Sequence, residues 1–313
     1  MNDLRALITC RHVWSDEERV RAQLADMRVT VDIPRFDGQQ MEEGDLMPIL
    51  NQYDGLLAGD DHLTRAVLQS APRLSVISKW GVGVDGIDQD AARDLGIEVF
   101  NTPGVFGEEL ADYAMGYIHM LARRQHEVNA RVKSGEWHQV RGVSLGGKTI
   151  GVVGLGSSGA ALARRALAAS MKVIAFEVLD GRELEGCEMV DLDTLLGNAD
   201  IISLHLPATA DTRHLIDERA LSRMKPGSWL INVSRGSLVD ESALVAALRS
   251  GHMGGAALDV FEEEPVAADN PLLSLDNVIV GAHNGSNTEQ AVARTTELAV
   301  RNLLRGLGFS EVG

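Results

Sequence analysis

The chain has 313 residues, of which 45 % are hydrophobic and 24 % charged, and its formal net charge is -16. This length predicts a globular protein of roughly two domains of about 100–200 residues each, and the acidic balance without any Lys/Arg block argues against a nucleic-acid partner. The first residues are too polar for a signal sequence, no apolar run is long enough to span a membrane, and the two cysteines, Cys10 and Cys187, lack metal-ligand spacing, so a cytoplasmic protein without a metal site is expected.

Short apolar, β-branched runs alternate with amphipathic segments through the first hundred residues. The predicted strands are 6–10, 28–33, 54–59, 74–78 and 97–100. The amphipathic segments between them lie near 16–27, 41–50 and 64–71. This alternation is typical of a parallel sheet with crossover helices, and it predicts a small α/β unit.

A second set of strands follows a longer helical pattern. Residues 108–132 place Leu110, Ile118 and other apolar residues at spacings of three and four, which predicts one long helix that ends near Gly135. The strands predicted beyond it are 149–154, 172–177, 200–206, 228–233, 255–261 and 277–283. The sequence therefore predicts two α/β units joined by this helix.

A glycine-rich turn opens the second unit. Gly154, Gly156 and Gly159 come directly after an apolar strand and start an Ala-rich helix, so the turn can approach a pyrophosphate closely. Glu177 ends the next strand, at the offset where an acid binds the adenosine ribose hydroxyls and repels the 2′-phosphate of NADP. This context predicts NAD as the cofactor; the alternative is an ordinary strand-to-helix turn followed by a strand-end acid.

Three charged or titratable residues follow later strands. Arg235 could hold a carboxylate with two parallel hydrogen bonds, His283 could transfer a proton near neutral pH, and Glu264 could orient the imidazole and favour its protonated form. Taken singly, each has an ordinary alternative as a surface cation, a packed histidine or a solvated loop acid. Taken together they suit hydride transfer between a nicotinamide and a hydroxy acid, which needs a proton acceptor and a fixed substrate.

At this point the sequence resembles the D-isomer-specific 2-hydroxyacid dehydrogenase family along essentially its whole length. The matching segments, in order, are KWGVGVDGID (79–88), NTPG (101–104), GLGSSG (154–159), SLHLPATADTRHLI (203–216), MKPGSWLINVSRGSLVDESAL (224–244), GAALDVFEEEP (255–265) and AHNGSN (282–287). The resemblance implies that Arg235, Glu264 and His283 are the catalytic residues. Among the three consecutive glutamates 262–264, the resemblance selects Glu264, because the family's glutamate lies five residues after the residue that matches Asp259 and precedes the proline that matches Pro265.

The resemblance also implies ligand contacts. The residues implied for the cofactor are Gly154, Gly156, Ser157, Ser158, Gly159, Glu177, His205, Pro207, Thr212, Val233, Asp259 and Gly285. For the substrate it implies the backbone around Val82 and Gly83, together with Gly81, and the side chain of Lys79, which could equally be a solvated lysine.

The family fold implies two doubly wound parallel-sheet domains. Residues 1–102 and 287–313 would form a flavodoxin-like substrate domain, into which a Rossmann NAD-binding domain, 103–286, is inserted. The active site would lie in the cleft, and relatives suggest a homodimer joined through the cofactor domains.

Two departures from the family pattern and two further questions remain open. Ser157 and Ser158 replace the Arg-Ile pair common in relatives, and Asn284 follows His283 where an apolar residue is usual. The substrate would be 3-phosphoglycerate, as in the phosphoglycerate dehydrogenase-like branch, or glyoxylate or hydroxypyruvate. The alternative to an enzyme is an NAD-sensing, corepressor-like binding protein on the same fold.

Overall fold

The computed structural model describes residues 4–179 and 181–309, and the chain divides into two compact units. Unit 1 comprises Met1–Val105 and Thr288–Gly313, and unit 2 comprises Phe106–Asn287. The sequence places these boundaries after residues 102 and 286, close to the observed divisions at 105 and 287.

The described residues contain twelve strands and eleven α-helices. The strands are β1 Leu4–Ile8, β2 Val29–Asp32, β3 Gly55–Ala58, β4 Val76–Lys79, β5 Glu98–Phe100, β6 Thr149–Val153, β7 Lys172–Phe176, β8 Cys187–Met189, β9 Ile201–Leu204, β10 Trp229–Asn232, β11 Gly255–Leu258 and β12 Val278–Val280. The helices are α1 Glu17–Asp26, α2 Glu43–Leu46, α3 Arg65–Gln69, α4 Gln89–Asp94, α5 Gly107–Arg123, α6 Gln125–Lys133, α7 Ser157–Ala168, α8 Leu192–Asn198, α9 Glu218–Arg223, α10 Glu241–Arg249 and α11 Glu289–Gly306.

Unit 1 is built on a five-stranded parallel sheet in the order β2-β1-β3-β4-β5. Its central strands β3 and β4 are buried at every residue, as expected when helices cover both faces of a parallel sheet. The C-terminal helix α11 returns to this sheet and packs against β3, β4 and β5. The sheet order reverses between β1 and β3, and this places a topological switch point at their carboxyl ends.

Unit 2 is built on a seven-stranded parallel sheet in the order β12-β11-β10-β9-β6-β7-β8. Apolar residues of α5 and α7 form the core on one face, and those of α8, α9 and α10 form the core on the other. These two α/β units confirm the predicted fold class of two doubly wound parallel sheets. None of the helices in the described ranges combines the length and the apolar character needed to cross a membrane.

The prediction of one continuous helix over 108–132 is wrong, because the structure has two helices there. Helix α5 ends at Arg123, Arg124 adopts a left-handed conformation with φ 49°, and α6 begins at Gln125. The apolar face of α5 is buried as far as Leu121 and Ala122, whereas α6 has no buried residue. Because the apolar residues of α6, Val128 and Val132, are not buried, burial does not hold the chain in the direction of α5.

Candidate active site

The predicted site residues of unit 2 lie at one edge of its sheet. The glycine-rich turn follows β6, Glu177 follows β7, His205, Pro207 and Thr212 follow β9, Val233 and Arg235 follow β10, Asp259 follows β11, and His283 and Gly285 follow β12. Parallel strands all end at the same edge, so the topology brings these segments together. The strand order reverses between β6 and β9, which is the position where open α/β sheets bind ligands.

Each glycine of the turn after β6 has a separate steric role. Gly154 has φ +96°, and a Cβ there would lie 2.8 Å from the carbonyl oxygen of His205. A Cβ on Gly159 would lie 1.9 Å from the carbonyl oxygen of Gly154, so α7 can pack against the turn only with glycine at that position. At Gly156 a Cβ would meet only the Arg182 guanidinium, at 3.6 Å, which leaves the backbone open to a pyrophosphate.

The N-terminus of α7 also suits an anion. Helices α3, α4, α8, α9, α10 and α11 begin at an Asp or Thr whose side chain accepts a hydrogen bond from the first turn. Helix α7 begins at Gly156 without a side-chain cap from any described residue. Its first N–H groups are therefore available to a phosphate, and this part of the chain fits a dinucleotide.

Of the two serines that replace the usual Arg-Ile pair, Ser157 is exposed and Ser158 is partly buried. The Cβ of Ser157 lies 3.0 Å from the position that a Cβ on Gly107 would take, at the start of α5. The hydroxyl of Ser158 is hydrogen-bonded to Nδ1 of His205 at 3.1 Å. Ser158 therefore braces the loop after β9 against the glycine-rich turn.

His205 is a buried, neutral histidine at this junction. Its Nε2 is hydrogen-bonded to the Ser203 hydroxyl at 2.9 Å, and its other ring nitrogen is engaged by Ser158. Burial lowers the pKa of His205 from 6.5 to about 4. The ring therefore supports the turn that carries Gly154 and carries no charge at neutral pH.

The rest of the loop after β9 is stabilised by a hydrogen bond between two of its own residues. The Thr212 hydroxyl donates to the carbonyl oxygen of Pro207 at 2.8 Å. Val233, on the next strand end, is buried at 4 % exposure. Pro207, Thr212 and Val233 thus lie at the expected edge, where they shape the surface through backbone and packing.

The structure brings His283 and Glu264 into direct contact. Nδ1 of His283 lies 2.7 Å from Oε2 of Glu264, and Oε1 of Glu264 accepts the backbone N–H of Phe261 at 2.9 Å. Both side chains remain partly accessible, at 30 % and 24 % exposure. With Nδ1 engaged by a carboxylate, proton transfer to a ligand falls to Nε2 of the same ring.

The two neighbouring glutamates differ from Glu264. Glu263 is exposed, and Glu262 is hydrogen-bonded to Nε2 of His214, a residue that the sequence did not single out. The backbone N–H of Glu262 also donates to Glu241 at 2.7 Å. These contacts fix the segment that carries Glu264.

The backbone of Arg235 is fixed by a hydrogen bond from a buried side chain. The side chain of Asn232 donates to the carbonyl oxygen of Arg235 at 2.8 Å, and Asn232 is almost fully buried. The next residue, Gly236, touches the segment before Glu264 so closely that a Cβ there would lie 1.8 Å from the carbonyl carbon of Phe261. The backbones that carry Arg235 and Glu264 are therefore in contact.

Asp259 organises the segment that carries His283. Its carboxylate accepts the backbone N–H groups of Asn284 at 3.0 Å and Gly285 at 2.7 Å, and it is 1 % exposed. His283 itself has a left-handed backbone with φ 51°. In this structure the carboxylate of Asp259 binds the protein loop, whereas the resemblance implies a contact with the cofactor.

Two tyrosines of α5, missed as site residues, adjoin Asp259. The Tyr117 hydroxyl donates to that of Tyr113 at 3.3 Å. Burial, the hydrogen bond with Tyr113 and the charge of Asp259 all raise the pKa of Tyr117. Asn284 is exposed, its side chain is hydrogen-bonded to Tyr113, and its side-chain oxygen accepts from Asn287 at 2.8 Å.

In unit 1 the residues predicted to face the substrate have different environments. Lys79 is only 8 % exposed, and its ammonium donates to Asp60 at 3.1 Å and to the carbonyl oxygen of Trp80 at 2.7 Å, so it is not a solvated lysine. The N–H of Gly81 donates to the Thr102 hydroxyl at 3.0 Å. Val82 is exposed and Gly83 half-buried, and their N–H groups donate to no other described residue.

Comparison with known proteins agrees with this arrangement. Residues 115–285 match the family described as D-isomer specific 2-hydroxyacid dehydrogenase, NAD binding domain. The chain is 41 % identical over 281 residues to a glyoxylate reductase of Thermococcus litoralis, covering 86 % of this chain and 85 % of that protein. It is 43 % identical over 253 residues to a D-3-phosphoglycerate dehydrogenase of Methanocaldococcus jannaschii, covering 78 % of this chain and 48 % of that protein. Its structure resembles that of an Aquifex aeolicus D-lactate dehydrogenase complexed with NAD and lactic acid, with a TM-score of 0.84 and 30 % identity, covering 95 % of this chain and 93 % of that one.

The glycine-rich turn, the uncapped helix and the histidine–glutamate pair define an NAD-dependent oxidoreductase. The chain belongs to the D-isomer-specific 2-hydroxyacid dehydrogenase family. NAD is its cofactor, and the enzyme is favoured over the corepressor-like alternative. In the described ranges no group of three or more His, Cys, Asp or Glu side chains is arranged to hold a metal ion.

The environment of His205 predicts acid sensitivity. Its folded-state pKa of about 4 lies below the unfolded value of 6.5, so its contribution to stability is present above pH 6.5 and is lost as the pH falls towards 4. The variant His205→Gln cannot take up this proton. Its urea unfolding midpoint, followed by circular dichroism, should therefore fall less between pH 7 and pH 5 than that of the original protein. His138→Gln, at an exposed position, should behave like the original protein, and an equal pH response in all three would contradict the assignment.

Proposed function

We propose that the protein reduces a small 2-oxo acid, glyoxylate or hydroxypyruvate, to the 2-hydroxy acid with NADH. The 2.7 Å contact between His283 and Glu264, at the edge that also carries Arg235, is the observation that supports this reaction most directly. Bound NADH supplies the hydride to the carbonyl carbon of the oxo acid. The chain's own residues must hold the acid and deliver one proton to the carbonyl oxygen.

Arg235 is the proposed binding group for the substrate carboxylate. A guanidinium can give two parallel hydrogen bonds to a carboxylate, which fixes orientation as well as position. Its positive charge also stabilises the negative charge that develops on the carbonyl oxygen. In unit 1 the N–H groups of Val82 and Gly83 are the proposed further donors, and Lys79, which is paired with Asp60, is the proposed further cation.

His283 is the proposed proton donor, through Nε2. In the direction of reduction the ring must start protonated, and the carboxylate of Glu264 on Nδ1 stabilises that imidazolium. The cofactor contacts proposed along the same edge are the glycine-rich turn for the pyrophosphate, Glu177 for the adenosine ribose, and the backbone of loops after β9, β10 and β12 for the nicotinamide half.

The charges near the end of β3 favour a substrate without a phosphate. Asp60 and the buried Asp61 follow β3, and the Lys79 ammonium is already paired with Asp60. Burial raises the pKa of Asp61, and its carboxylate accepts N–H groups from Met41 at 2.9 Å and Gly59 at 3.0 Å. A phosphorylated oxo acid would bring further negative charge to a part of unit 1 whose lysine is already neutralised.

Substrate choice is tested by NADH oxidation, followed by absorbance, with glyoxylate, hydroxypyruvate, phosphohydroxypyruvate and pyruvate. The ratio kcat/KM should be at least about tenfold higher for glyoxylate or hydroxypyruvate than for phosphohydroxypyruvate. A preference for the phosphorylated acid would contradict the charge argument. Turnover of none of these acids, despite NADH binding, would favour the NAD-sensing alternative.

The catalytic assignment predicts two different kinetic effects. His283→Ala should lower kcat about 10²- to 10⁴-fold, because the proton donor is lost, while NADH binding measured by calorimetry stays unchanged. Glu264→Gln should shift the alkaline fall in the reduction rate to lower pH, because a neutral partner stabilises imidazolium less. Glu263→Gln, at an exposed neighbour, is the matched control and should leave the pH profile in place. Full turnover by His283→Ala, or an unmoved profile for Glu264→Gln, would overturn the assignment.

We further propose a cytoplasmic homodimer that does not bind nucleic acid. The net charge of -16 disfavours a polyanionic partner. Trp137 is 88 % exposed, and Val132 and Val143 on the same segment are exposed to 45 % and 43 %. Apolar surface of this kind is typical of a protein interface, and a second copy would bury it.

The homodimer is tested by sedimentation velocity. The original protein should sediment as a dimer at micromolar concentration, and Trp137→Ser should shift the population towards monomer. Leu95→Ser, at an exposed apolar residue of unit 1, should not. A monomeric original protein, or a dimer unaffected by Trp137→Ser, would count against this interface.

A further inference from the structure

The carboxylate of Glu177 is fully engaged by the protein. Oε1 accepts the backbone N–H groups of Val178 at 2.9 Å and Leu179 at 3.0 Å. Oε2 accepts the backbone N–H of Leu155 at 2.9 Å and Nη1 of Arg182 at 3.2 Å. A carboxylate offers about four lone-pair positions, and here four donors occupy them.

These contacts keep Glu177 ionised although its side chain is only 3 % exposed. Burial acts to raise its pKa, but the N–H groups of Leu179 and Leu155 and the Arg182 guanidinium outweigh burial, and the pKa is lowered. The charge of this carboxylate is therefore shared among three fixed dipoles and one cation. Strong repulsion of a 2′-phosphate would require a carboxylate whose charge is not neutralised by neighbouring groups, and Glu177 does not meet this condition.

A ribose hydroxyl can reach this carboxylate only if one donor leaves. Three of the donors are backbone N–H groups, of which that of Leu155 belongs to the turn after β6 and is fixed with it. The fourth, the Arg182 side chain, is 46 % exposed and is attached to the chain five residues after Glu177. Arg182 is therefore the donor that moves most readily.

Arg182 also lies beside the glycine-rich turn. Its Nη1 is 3.6 Å from the position of a Cβ on Gly156, the glycine whose backbone is open to the pyrophosphate. After release from Glu177, the guanidinium would still be attached to the chain beside the glycine-rich turn. An arginine in this place can pair with a 2′-phosphate through two hydrogen bonds.

We propose that Arg182 sets the cofactor selectivity of this enzyme, and that the protein binds NADPH as well as NADH. The inference rests on the proposed contact of Glu177 with the adenosine ribose. With NADH, a ribose hydroxyl replaces Arg182 at Glu177, and the Arg182 guanidinium gains no new partner. With NADPH, the 2′-phosphate takes the place of Glu177 as the partner of Arg182.

This exchange predicts opposite effects for the two cofactors. In Arg182→Ala, NADH should bind about 2- to 5-fold more tightly, because the competitor of the ribose is gone. NADPH should bind at least about tenfold more weakly, because the phosphate loses its partner and faces the charge of Glu177. Arg182→Lys keeps a cation and should retain most of the NADPH affinity.

Isothermal titration of the full chain with NADH and with NADPH measures these affinities without turnover. Arg223→Ala is the matched control: it removes an arginine of unit 2 that is paired with Asp193, and it should change neither affinity. Absence of NADPH binding by the original protein, or a shift of both cofactors in the same direction in Arg182→Ala, would overturn the inference.

The variant Glu177→Ala separates this inference from the proposed site. If it leaves NADH affinity unchanged, the ribose contact of Glu177 is wrong, and the selectivity role of Arg182 falls with it. If it weakens NADH binding while Arg182→Ala moves both cofactors together, the ribose contact stands and only the role of Arg182 fails.

Discussion

Three consecutive backbone N–H groups of the segment 283–285 donate to Asp259, that of His283 to its carbonyl oxygen at 2.7 Å and those of Asn284 and Gly285 to its carboxylate. The left-handed backbone of His283 persists because these bonds hold the residues on both sides of its side chain. A buried carboxylate is costly unless it is hydrogen-bonded, and here the amides that satisfy it are those that present His283. The position of the imidazole opposite Glu264 therefore depends on a buried charge one strand away.

Close backbone contacts complete the same arrangement. Gly236 touches the carbonyl group of Phe261, and Gly281 leaves room for the Asp259 carboxylate and the Tyr117 hydroxyl, since a Cβ on it would lie 2.2 Å and 2.3 Å from their oxygens. The segments that carry Arg235, Glu264 and His283 are thus positioned by main-chain packing and by a carboxylate. Side chains that react with a ligand have to change contacts during turnover, whereas these backbone contacts need not. This division explains how a partly exposed histidine–glutamate pair can be held in a defined geometry.

Much of the fold was predictable because buried parallel strands are short apolar runs at regular intervals, and the residues that follow them share one edge. The 2.7 Å contact of His283 with Glu264 is one that the family resemblance implied and that neither residue, taken singly, indicated. The break at Arg124 was not predicted, since it depends on where burial stops along α5. The edge strand β8, Cys187–Met189, was missed because it has three residues and no β-branched side chain. Contacts between distant segments, such as those of Lys79 with Asp60 and of Glu262 with His214, leave no periodic signal in one sequence.

Two buried carboxylates at the carboxyl edge of unit 2 show how similar groups can have different functions. Asp259 and Glu177 each follow a strand, and each accepts backbone N–H groups of a neighbouring loop. Asp259 is further enclosed by the tyrosines of α5, so its partners are fixed within the core. Glu177 has one partner on a partly exposed side chain, Arg182. Because all the donors around Asp259 are fixed, that carboxylate serves only to position the loop that carries His283. The partner of Glu177, Arg182, can exchange, so the net charge offered to a ligand there can change. His283 is therefore held by fixed backbone donors, whereas the selectivity proposed for Glu177 depends on a single side chain that can exchange partners.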